Sequence, residues 1–325
     1  MHPPGRKTMA TIRELWQLLR THRLKRRVRW AFIALLAMIL VVVIGGVAVK
    51  AHDRQTAVSS SSSSSAVSSS GPSTAEKKAD LKKALQTYFD QQTAGGKVQL
   101  SLYSLDPKPG SAAAKKPNRV IDGKGVQNVE SQGDTKVLSA STYKLYIAAY
   151  VFHRLEKKQM SWTLTDKQNF DAMIVNSENG FAQTILTRYG NDTVDKYLQS
   201  IGLGQPFSGD SAETTANQLV KVLQMLDAGN GPFKNKALRA RLLKDMGKQI
   251  FRNGIPAGVK SVDAKAKVQD KVGFLTDTNN DAGIVTTKDG HRYILVIMTT
   301  GHEQLDFSQI KAIAAHIQTL IDTNL

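Results

Sequence analysis

The 325-residue sequence contains no cysteine. Disulfide bonds, a thiol nucleophile and thiolate metal ligands are therefore excluded. A cysteine-free domain depends on its own hydrophobic core, which about 250 residues can supply. A glycine-rich phosphate loop is also lacking, and metal-ligand spacing is lacking among four histidines, His153, His291, His302 and His316. The sequence predicts neither a metal site nor a cofactor.

Negative charge is scarce, with 27 acidic against 44 basic residues and a formal net charge of +17. About half of the excess lies near the N-terminus, where residues 1–29 hold nine basic residues against the single acid Glu14. The remainder, roughly +8 after Gln55, suits an anionic wall polymer better than nucleic acid. Anionic lipid headgroups are the natural partner of the N-terminal charges.

Residues 30–49 carry no charge at all. About 20 apolar residues, rising about 1.5 Å each, span a hydrocarbon core of about 30 Å. The basic residues before this run predict a cytoplasmic N-terminus, with everything after Lys50 outside the membrane. A cleaved signal peptide is the alternative, but the apolar run and the basic region are both long for one. The sequence thus favours a single-pass anchor and an extracellular domain, and the lack of cysteine fits a Gram-positive surface.

Four segments follow from this pattern: a basic arm (1–29), a transmembrane helix (30–49), a linker (50–73) and a folded domain (74–325). The linker is rich in serine and is expected to be a flexible spacer. Ser73 and Glu76 form a capping box, which predicts the first helix of the domain. That helix is expected to end at Gly95-Gly96 and to be followed by a half-buried strand that begins at Val98.

The rest of the domain has helical patterns in the middle and strand patterns at the end. Strands at both ends of the domain with helices between them predict an α+β fold, whose antiparallel sheet is built from both ends around an inserted helical lobe. The predicted helices are 180–188, 193–201, 217–226, 236–250 and 307–321, and the predicted late strands are 266–274, 281–286 and 292–299.

A buried helix is predicted within the stretch 137–155, behind Ser139 and Ser141, because apolar side chains surround it on almost every face. Ser139 and Ser141 are available as N-caps, so the Ser141 hydroxyl is expected at a helix N-terminus, where developing negative charge is favoured. Lys144 shares a helix face with Ser141. A serine becomes a nucleophile beside a base, and a desolvated lysine can be that base. Alone, this S-x-x-K motif is a weak signal that also fits an ordinary capped helix with a solvated lysine.

Two further short motifs follow in the chain. Ser177-Glu178-Asn179 lies between an apolar segment and a helix, which predicts a loop at a helix start. Lys271-Val272-Gly273 lies in a predicted strand, where the glycine indicates close approach by another backbone or by a ligand. In the order S-x-x-K, S-x-N and K-x-G, the three motifs reproduce the signature of class A β-lactamases and penicillin-binding proteins.

The chain resembles that family from about Ala75 to Leu325. The segment 252–259, Arg-Asn-Gly-Ile-Pro-Ala-Gly-Val, is similar to the family's R-x-G-L-P-x-G-W stretch. Asp270 precedes the K-x-G lysine as in class A members, and Thr214-Thr215 resembles the threonine pair that follows the family's Ω-loop. The resemblance implies the β-lactamase/transpeptidase-like fold and a serine nucleophile.

The resemblance also implies a role for each matching residue. Ser141 would attack a strained or peptide-like amide carbonyl, and Lys144 would be the base or part of the proton path. Ser177 would pass a proton to the leaving nitrogen, while Lys271 would keep the site positive.

The remaining matches imply substrate contacts. Asn179 would hydrogen-bond the substrate's side-chain amide and Lys144. The backbone N–H groups of Ser141 and of Phe274, directly after Gly273, would hold the oxyanion, where one donor is worth about 3 kcal/mol.

Three departures from the family pattern bear on turnover. Val272 replaces a hydroxyl residue, so weaker recognition of a substrate carboxylate is expected. Residues 204–213 are too few for a full Ω-loop, and Glu213, their one glutamate, is a weak candidate for the base that activates the deacylating water. The interval from Ser141 to Ser177 is short for the family, which predicts a trimmed helical lobe.

Separately, Asp277 and residues 279–281 are interpreted as a turn between strands rather than a cation site.

The sequence therefore predicts a membrane-anchored serine hydrolase that forms an acyl-enzyme with a β-lactam and deacylates slowly. A D,D-peptidase or esterase acting on peptidoglycan stem peptides is an alternative within the enzyme class. A wall-binding or β-lactam-sensing domain that no longer turns over is the alternative outside it.

Overall fold

The structure is a computed structural model that describes residues 71–325. The predicted cytoplasmic arm, the transmembrane helix and almost all of the linker lie outside the described residues. Within residues 71–325, no helix is both long enough and apolar enough to cross a membrane.

The described chain forms an α+β fold, and its first helix begins as the sequence predicts. Ser73 Oγ accepts a hydrogen bond from Glu76 N, and the Glu76 carboxylate accepts one from Ser73 N (2.7 Å), so the capping box is confirmed. The helices are α1 (Thr74–Thr93), α2 (Ala112–Lys115), α3 (Lys144–Glu156), α4 (Leu164–Val175), α5 (Gly180–Tyr189), α6 (Asn191–Ser200), α7 (Ala216–Ala228), α8 (Lys236–Met246), α9 (Ile255–Val262) and α10 (Ser308–Asn324). The strands are β1 (Val98–Ser104), β2 (Asn128–Ser131), β3 (Val137–Leu138), β4 (Glu213–Thr214), β5 (Lys267–Leu275), β6 (Thr278–Thr286) and β7 (Arg292–Thr299).

Five strands form one antiparallel sheet in the order β2-β1-β7-β6-β5. Because β1 and β2 precede the helical lobe and β5 to β7 follow it, the predicted sheet from both ends of the domain is confirmed. β5 is an edge strand, so its outer side faces the helical lobe rather than another strand of this sheet. A second, two-stranded sheet pairs β3 with β4.

Both faces of the large sheet are covered. In β7, Ile294, Val296 and Met298 pack into the core of the helical lobe, and the alternating residues pack against α1, α9 and α10. The prediction that β1 is half-buried was wrong, because helices lie on both of its sides and six of its seven residues are buried.

The α3 helix runs through the centre of the helical lobe. Every residue from Lys144 to Phe152 is buried, which confirms that its nearly all-apolar sequence marks an interior helix. Three helices were not predicted: α2, α4 and α9. The starts of the two longer ones were readable, since Thr163 and Asp166 form a capping box for α4 and Pro256 lies in the first turn of α9.

Candidate active site

The turn that carries Ser141 is a short 3₁₀ helix, Ala140–Tyr143, which we call the Ser141 turn; it leads directly into α3. Ala140 has φ 42°, in the left-handed region that residues with a Cβ rarely adopt. The prediction that Ser139 and Ser141 cap the helix was wrong, since neither side chain caps it. Ser139 Oγ donates instead to Ala212 O (2.8 Å), which leaves Ser141 Oγ free to contact Lys144.

Lys144 connects the candidate nucleophile to the neighbouring loop. Its Nζ is 2.8 Å from Ser141 Oγ, 2.6 Å from Ser177 O and 2.7 Å from Asn179 Oδ1. As an ammonium group it donates to all three oxygens. As a neutral amine it has two N–H bonds for the two carbonyl oxygens and a lone pair for the Ser141 hydroxyl.

The charge state of Lys144 is set by its surroundings. Burial lowers the pKa of Lys144 to about 8, and the negative charge of Glu178 opposes this shift. More neutral amine is therefore present near neutral pH than for an ordinary lysine. Lys144 can act as a base within hydrogen-bond reach of Ser141.

Ser177 links the two lysines of the site. Its carbonyl oxygen accepts from Lys144, and its hydroxyl accepts from Lys271 Nζ (2.8 Å). Ser177 has φ 60°, a strained backbone conformation of the kind that clusters at functional sites. It lies in the loop between α4 and α5, as predicted, and Asn179 at the start of α5 directs its Oδ1 to Lys144 rather than capping the helix.

Gly273 in β5 lies against the Ser141 turn. A Cβ at this position would come within 2.7 Å of Ser139 O and 2.8 Å of Ser141 N. The strand can approach the turn this closely only with glycine, so the prediction of close approach by another backbone is confirmed.

Phe274 directly follows Gly273 on the edge strand. Its half-buried ring packs edge-on against Phe251, with ring centroids 4.8 Å apart, and against Phe307. The ring therefore points towards the terminal helices. Any part that Phe274 takes in the site therefore falls to its backbone, and its role as an oxyanion donor stays a prediction.

Lys271 is fully buried beside two acidic residues. Asp270 forms an ion pair with Arg252 and accepts a hydrogen bond from Gln249 Nε2 (2.7 Å). Burial lowers the pKa of Lys271 well below its ordinary value, and the charge of Lys144 lowers it further. Burial raises the pKa of Asp281 to about 6. The charge of Lys271 therefore interacts with the charges of Asp270 and Asp281 inside this buried cluster.

Glu213 lies outside this network. It belongs to the short strand β4, and its carboxylate forms a half-exposed ion pair with Lys136 at 3.5 Å. The following helix begins after Glu213, with Thr215 as its N-cap. In the described chain, the hydrogen-bond partners of Lys144 Nζ are Ser141, Ser177 and Asn179 and include no carboxylate.

The middle residue of the K-x-G motif does not line the site. The Val272 side chain is completely buried in the cluster between the sheet and the terminal helices. Position 272 therefore offers no side-chain hydroxyl to a substrate carboxylate, and weaker recognition of a carboxylate stays a prediction.

Residues 279–281 are strand residues rather than a turn, which corrects the sequence interpretation. β5 ends at Leu275 and β6 begins at Thr278, so the turn consists of Thr276 and Asp277. All three residues, Asn279, Asn280 and Asp281, are fully buried. The sequence analysis missed Asn280 as part of the site, because an Asn-Asn-Asp run is typical of turns and its burial depends on elements distant in the chain.

Three histidines of the described residues contact aromatic or acidic side chains. His153 stacks on Tyr197 and His316 on Tyr88, with ring centroids 4.0 and 4.1 Å apart. His291 Nδ1 lies 2.9 Å from Asp122 Oδ1 at the far end of the sheet. Among residues 71–325, no group of three or more potential ligands is arranged to hold a metal ion.

Comparison with known proteins shows which folds this chain resembles. The model of the β-lactamase enzyme family matches residues 162–321. The structure of PBP-A is similar with a TM-score of 0.59 and 18% identity, covering 75% of this chain and 96% of that one. A β-lactamase from Xanthomonas campestris is similar with a TM-score of 0.59 and 17% identity, covering 74% and 98%.

A PBP-A mutant solved as its acyl-enzyme complex with penicillin G has a TM-score of 0.57 and 18% identity, and covers 75% of this chain and 97% of that one. No curated protein matches the sequence. The likeness to these distant structures establishes the fold.

The described chain therefore has the fold of β-lactamases and penicillin-binding proteins. The sequence is similar to the β-lactamase enzyme family over residues 162–321, just under half of its length.

Proposed function

We propose that this protein forms an acyl-enzyme at Ser141 and that its acyl donor is a β-lactam. The observation that carries the proposal is the 2.8 Å hydrogen bond between Lys144 Nζ and Ser141 Oγ, made by a buried amine whose pKa is lowered to about 8. A nucleophile hydrogen-bonded to a base that is held by further partners is the arrangement that nucleophilic catalysis requires. Penicillin G forms an acyl-enzyme with a PBP-A mutant of the same fold, which supports this class of acyl donor.

The proposed acylation follows from these contacts. Ser141 Oγ attacks the lactam carbonyl carbon and transfers its proton to the neutral amine of Lys144. The backbone N–H groups of Ser141 and Phe274 stabilise the oxyanion. When the intermediate collapses, the C–N bond breaks and the nitrogen takes a proton from Ser177 Oγ. Ser177 Oγ regains a proton from Lys271 Nζ, which donates to it (2.8 Å), while Lys144 keeps the proton taken from Ser141. The acyl group remains on Ser141.

Slow deacylation is part of the proposal. Hydrolysis of the ester needs a held water and a base near it. Glu213, the weak candidate for that base, forms a half-exposed ion pair with Lys136 instead. The same observation favours a second candidate function, a β-lactam-sensing or wall-binding domain in which acylation is not followed by turnover. A D,D-peptidase or esterase acting on stem peptides would use the same acylation groups.

We also propose that residues 30–49 anchor the protein in the cell membrane with its catalytic domain outside. The uncharged run and the basic residues before it support this topology. A positively charged domain at that location would contact anionic wall polymers.

Intact mass spectrometry of the full-length protein after exposure to a penicillin tests the proposed function. A mass increase equal to one penicillin, persisting for many minutes, is expected. Ser141→Ala should abolish it and Lys144→Ala should suppress it nearly as much, since residues that act as a unit are not additive. Ser261→Ala and Lys260→Ala, on α9, are matched controls that should label like the wild type.

If the wild type reacts neither with a penicillin nor with a fluorophosphonate, the enzyme proposal is overturned. Reaction with fluorophosphonate alone would favour the esterase alternative. Rapid return to the unmodified mass with accumulation of hydrolysed penicillin would show an efficient β-lactamase and contradict slow deacylation.

A further inference from the structure

Asn280 is a fully buried residue of β6 whose side-chain nitrogen and oxygen both form hydrogen bonds. Its Nδ2 donates to Leu138 O (2.9 Å) and to Ser139 O (3.1 Å), and its Oδ1 accepts from Thr299 N (3.2 Å). The two donor bonds join the sheet to the two residues that lead into the Ser141 turn. Leu138 belongs to β3 and Ser139 follows it, so these bonds connect the five-stranded sheet to the small β3–β4 sheet.

The position of Asn280 in the sheet places these bonds beside the candidate oxyanion donors. Asn280 is directly opposite Gly273 in the β5–β6 register. Gly273 in turn approaches Ser139 O and Ser141 N so closely that a Cβ would not fit. Ser139 O is therefore held by the amide of Asn280 at the place where β5 meets the Ser141 turn.

The turn needs such a restraint, because its backbone is strained. Ala140, directly before the nucleophile, has φ 42°. A strained residue persists only where its surroundings determine its conformation. Hydrogen bonds from Asn280 fix the carbonyl groups on the N-terminal side of Ala140, and Thr142 Oγ1 donates to Ser139 O (2.6 Å) from the other side.

We propose that Asn280 is a positioning residue for acylation: it holds the Ser141 turn against β5 so that the N–H groups of Ser141 and Phe274 converge on one oxyanion. The proposal rests on the proposed function and adds a residue that touches neither the substrate nor the reacting atoms. Transition-state stabilisation of this kind depends on donors that are in place before reaction, so a small displacement of the turn lowers the rate more than it lowers binding.

The chain supplies a matched control in Asn279. This neighbouring asparagine is also fully buried, but its Nδ2 donates to Glu303 O (3.0 Å) and its Oδ1 accepts from Leu305 N (2.9 Å), in the loop before α10. Asn279→Ala and Asn280→Ala remove the same side chain from adjacent positions. The two variants differ in which loop loses its restraint.

The experiment compares penicillin acylation by the two full-length variants, with thermal unfolding measured on the same samples. Asn280→Ala should lower the limiting acylation rate constant by about tenfold or more, with apparent affinity changed by less than about threefold. Asn279→Ala should lose comparable thermal stability and keep a limiting rate within about threefold of the wild type. Equal rate losses in both variants, or a wild-type rate in Asn280→Ala, would overturn the proposal.

Hydrogen exchange supplies a readout that does not depend on activity. Asn280→Ala should speed amide exchange in the segment around residues 138–146, and Asn279→Ala in the segment around 303–308. If the wild type is never acylated, the proposed function fails, and so does the proposed effect of Asn280 on the acylation rate. Hydrogen exchange still shows whether Asn280 restrains the Ser141 turn. If Asn280→Ala does not fold, Asn280→Asp preserves the volume and is subjected to the same comparison.

Discussion

Gly273 and Ser141 meet backbone to backbone: a Cβ on Gly273 would lie 2.8 Å from Ser141 N. The residue proposed as the nucleophile and the strand that holds the proposed second oxyanion donor are therefore in direct contact. Their 132-residue separation in sequence is bridged by the sheet, since β5 is the edge strand next to the Ser141 turn.

Gly273→Ala should impair acylation through this contact. The added methyl group must push apart β5 and the Ser141 turn, and we expect at least about a hundredfold slower labelling, with a loss of about 1–3 kcal/mol in the free energy of unfolding. Gly258→Ala is a suitable control, because a Cβ there would lie 2.3 Å from Lys311 O, between α9 and α10. It should destabilise the fold and leave the labelling rate of folded protein unchanged. Equal labelling by the two variants would contradict the assignment of Gly273.

The pH dependence of acylation should report Lys144. Its pKa is lowered to about 8, so the fraction of neutral amine grows as pH rises through about 8, and the acylation rate should rise in that window and then level off. Glu178→Gln removes a charge that raises this pKa, which should shift the rise to lower pH. Glu156→Gln is the control and should leave the pH dependence of the acylation rate unchanged. A profile that is flat between pH 6 and pH 10 would rule out Lys144 as the base.

The same lowered pKa makes a prediction about stability. An unfolded lysine titrates near 10.5, so between about pH 8 and 10.5 the unfolded chain binds more protons at Lys144 than the folded protein does. The contribution of Lys144 to the free energy of unfolding should therefore increase with pH across that window. Lys144→Met should lack this increase in denaturant titrations, compared with the wild type at each pH.

Glu213→Gln should have little effect on the decay of the acyl-enzyme. Its ion pair with Lys136 is half-exposed and its carboxylate contacts neither Ser141 nor Lys144, so a change of less than about twofold is expected in single-turnover decay. Fast turnover by the wild type that is lost in Glu213→Gln would identify Glu213 as the hydrolytic base and refute slow deacylation.

Val272→Thr should destabilise the protein without improving recognition of a carboxylate. Because Val272 is completely buried among apolar side chains, its replacement leaves a hydroxyl without a partner, at a cost of about 1–3 kcal/mol in the free energy of unfolding. Val268→Thr, four residues earlier in the same strand and cluster, should behave alike. Tighter binding of a penicillin but not of its methyl ester by Val272→Thr alone would show that position 272 reaches the substrate.

The predicted topology has its own test. Protease added to intact protoplasts should digest the domain that follows Ser73 and spare the N-terminal arm, because the basic residues before residues 30–49 are expected to stay in the cytoplasm. Recovery of a mature protein that begins between residues 49 and 73 would show a cleaved signal peptide instead of an anchor.

Local sequence was sufficient for several features. Ser73 and Glu76 identified the start of α1, the nearly all-apolar run after Lys144 identified an interior helix, and the glycine of the K-x-G motif indicated close approach of another backbone. These features depend on side chains a few residues apart or on the absence of a Cβ, and such physical constraints are the same in any fold.

Tertiary structure decided the rest, because burial depends on what packs against a residue from elsewhere in the chain. β1 alternates as a half-buried strand would, yet helices cover both of its faces. Asn280 looks like a turn residue in the sequence, but the pairing of β5, β6 and β7 buries it where its amide reaches Ser139 O. The sequence by itself determined which chemical groups the site contains, and the packing of the sheet against the Ser141 turn decided their distances, burial and proton affinities.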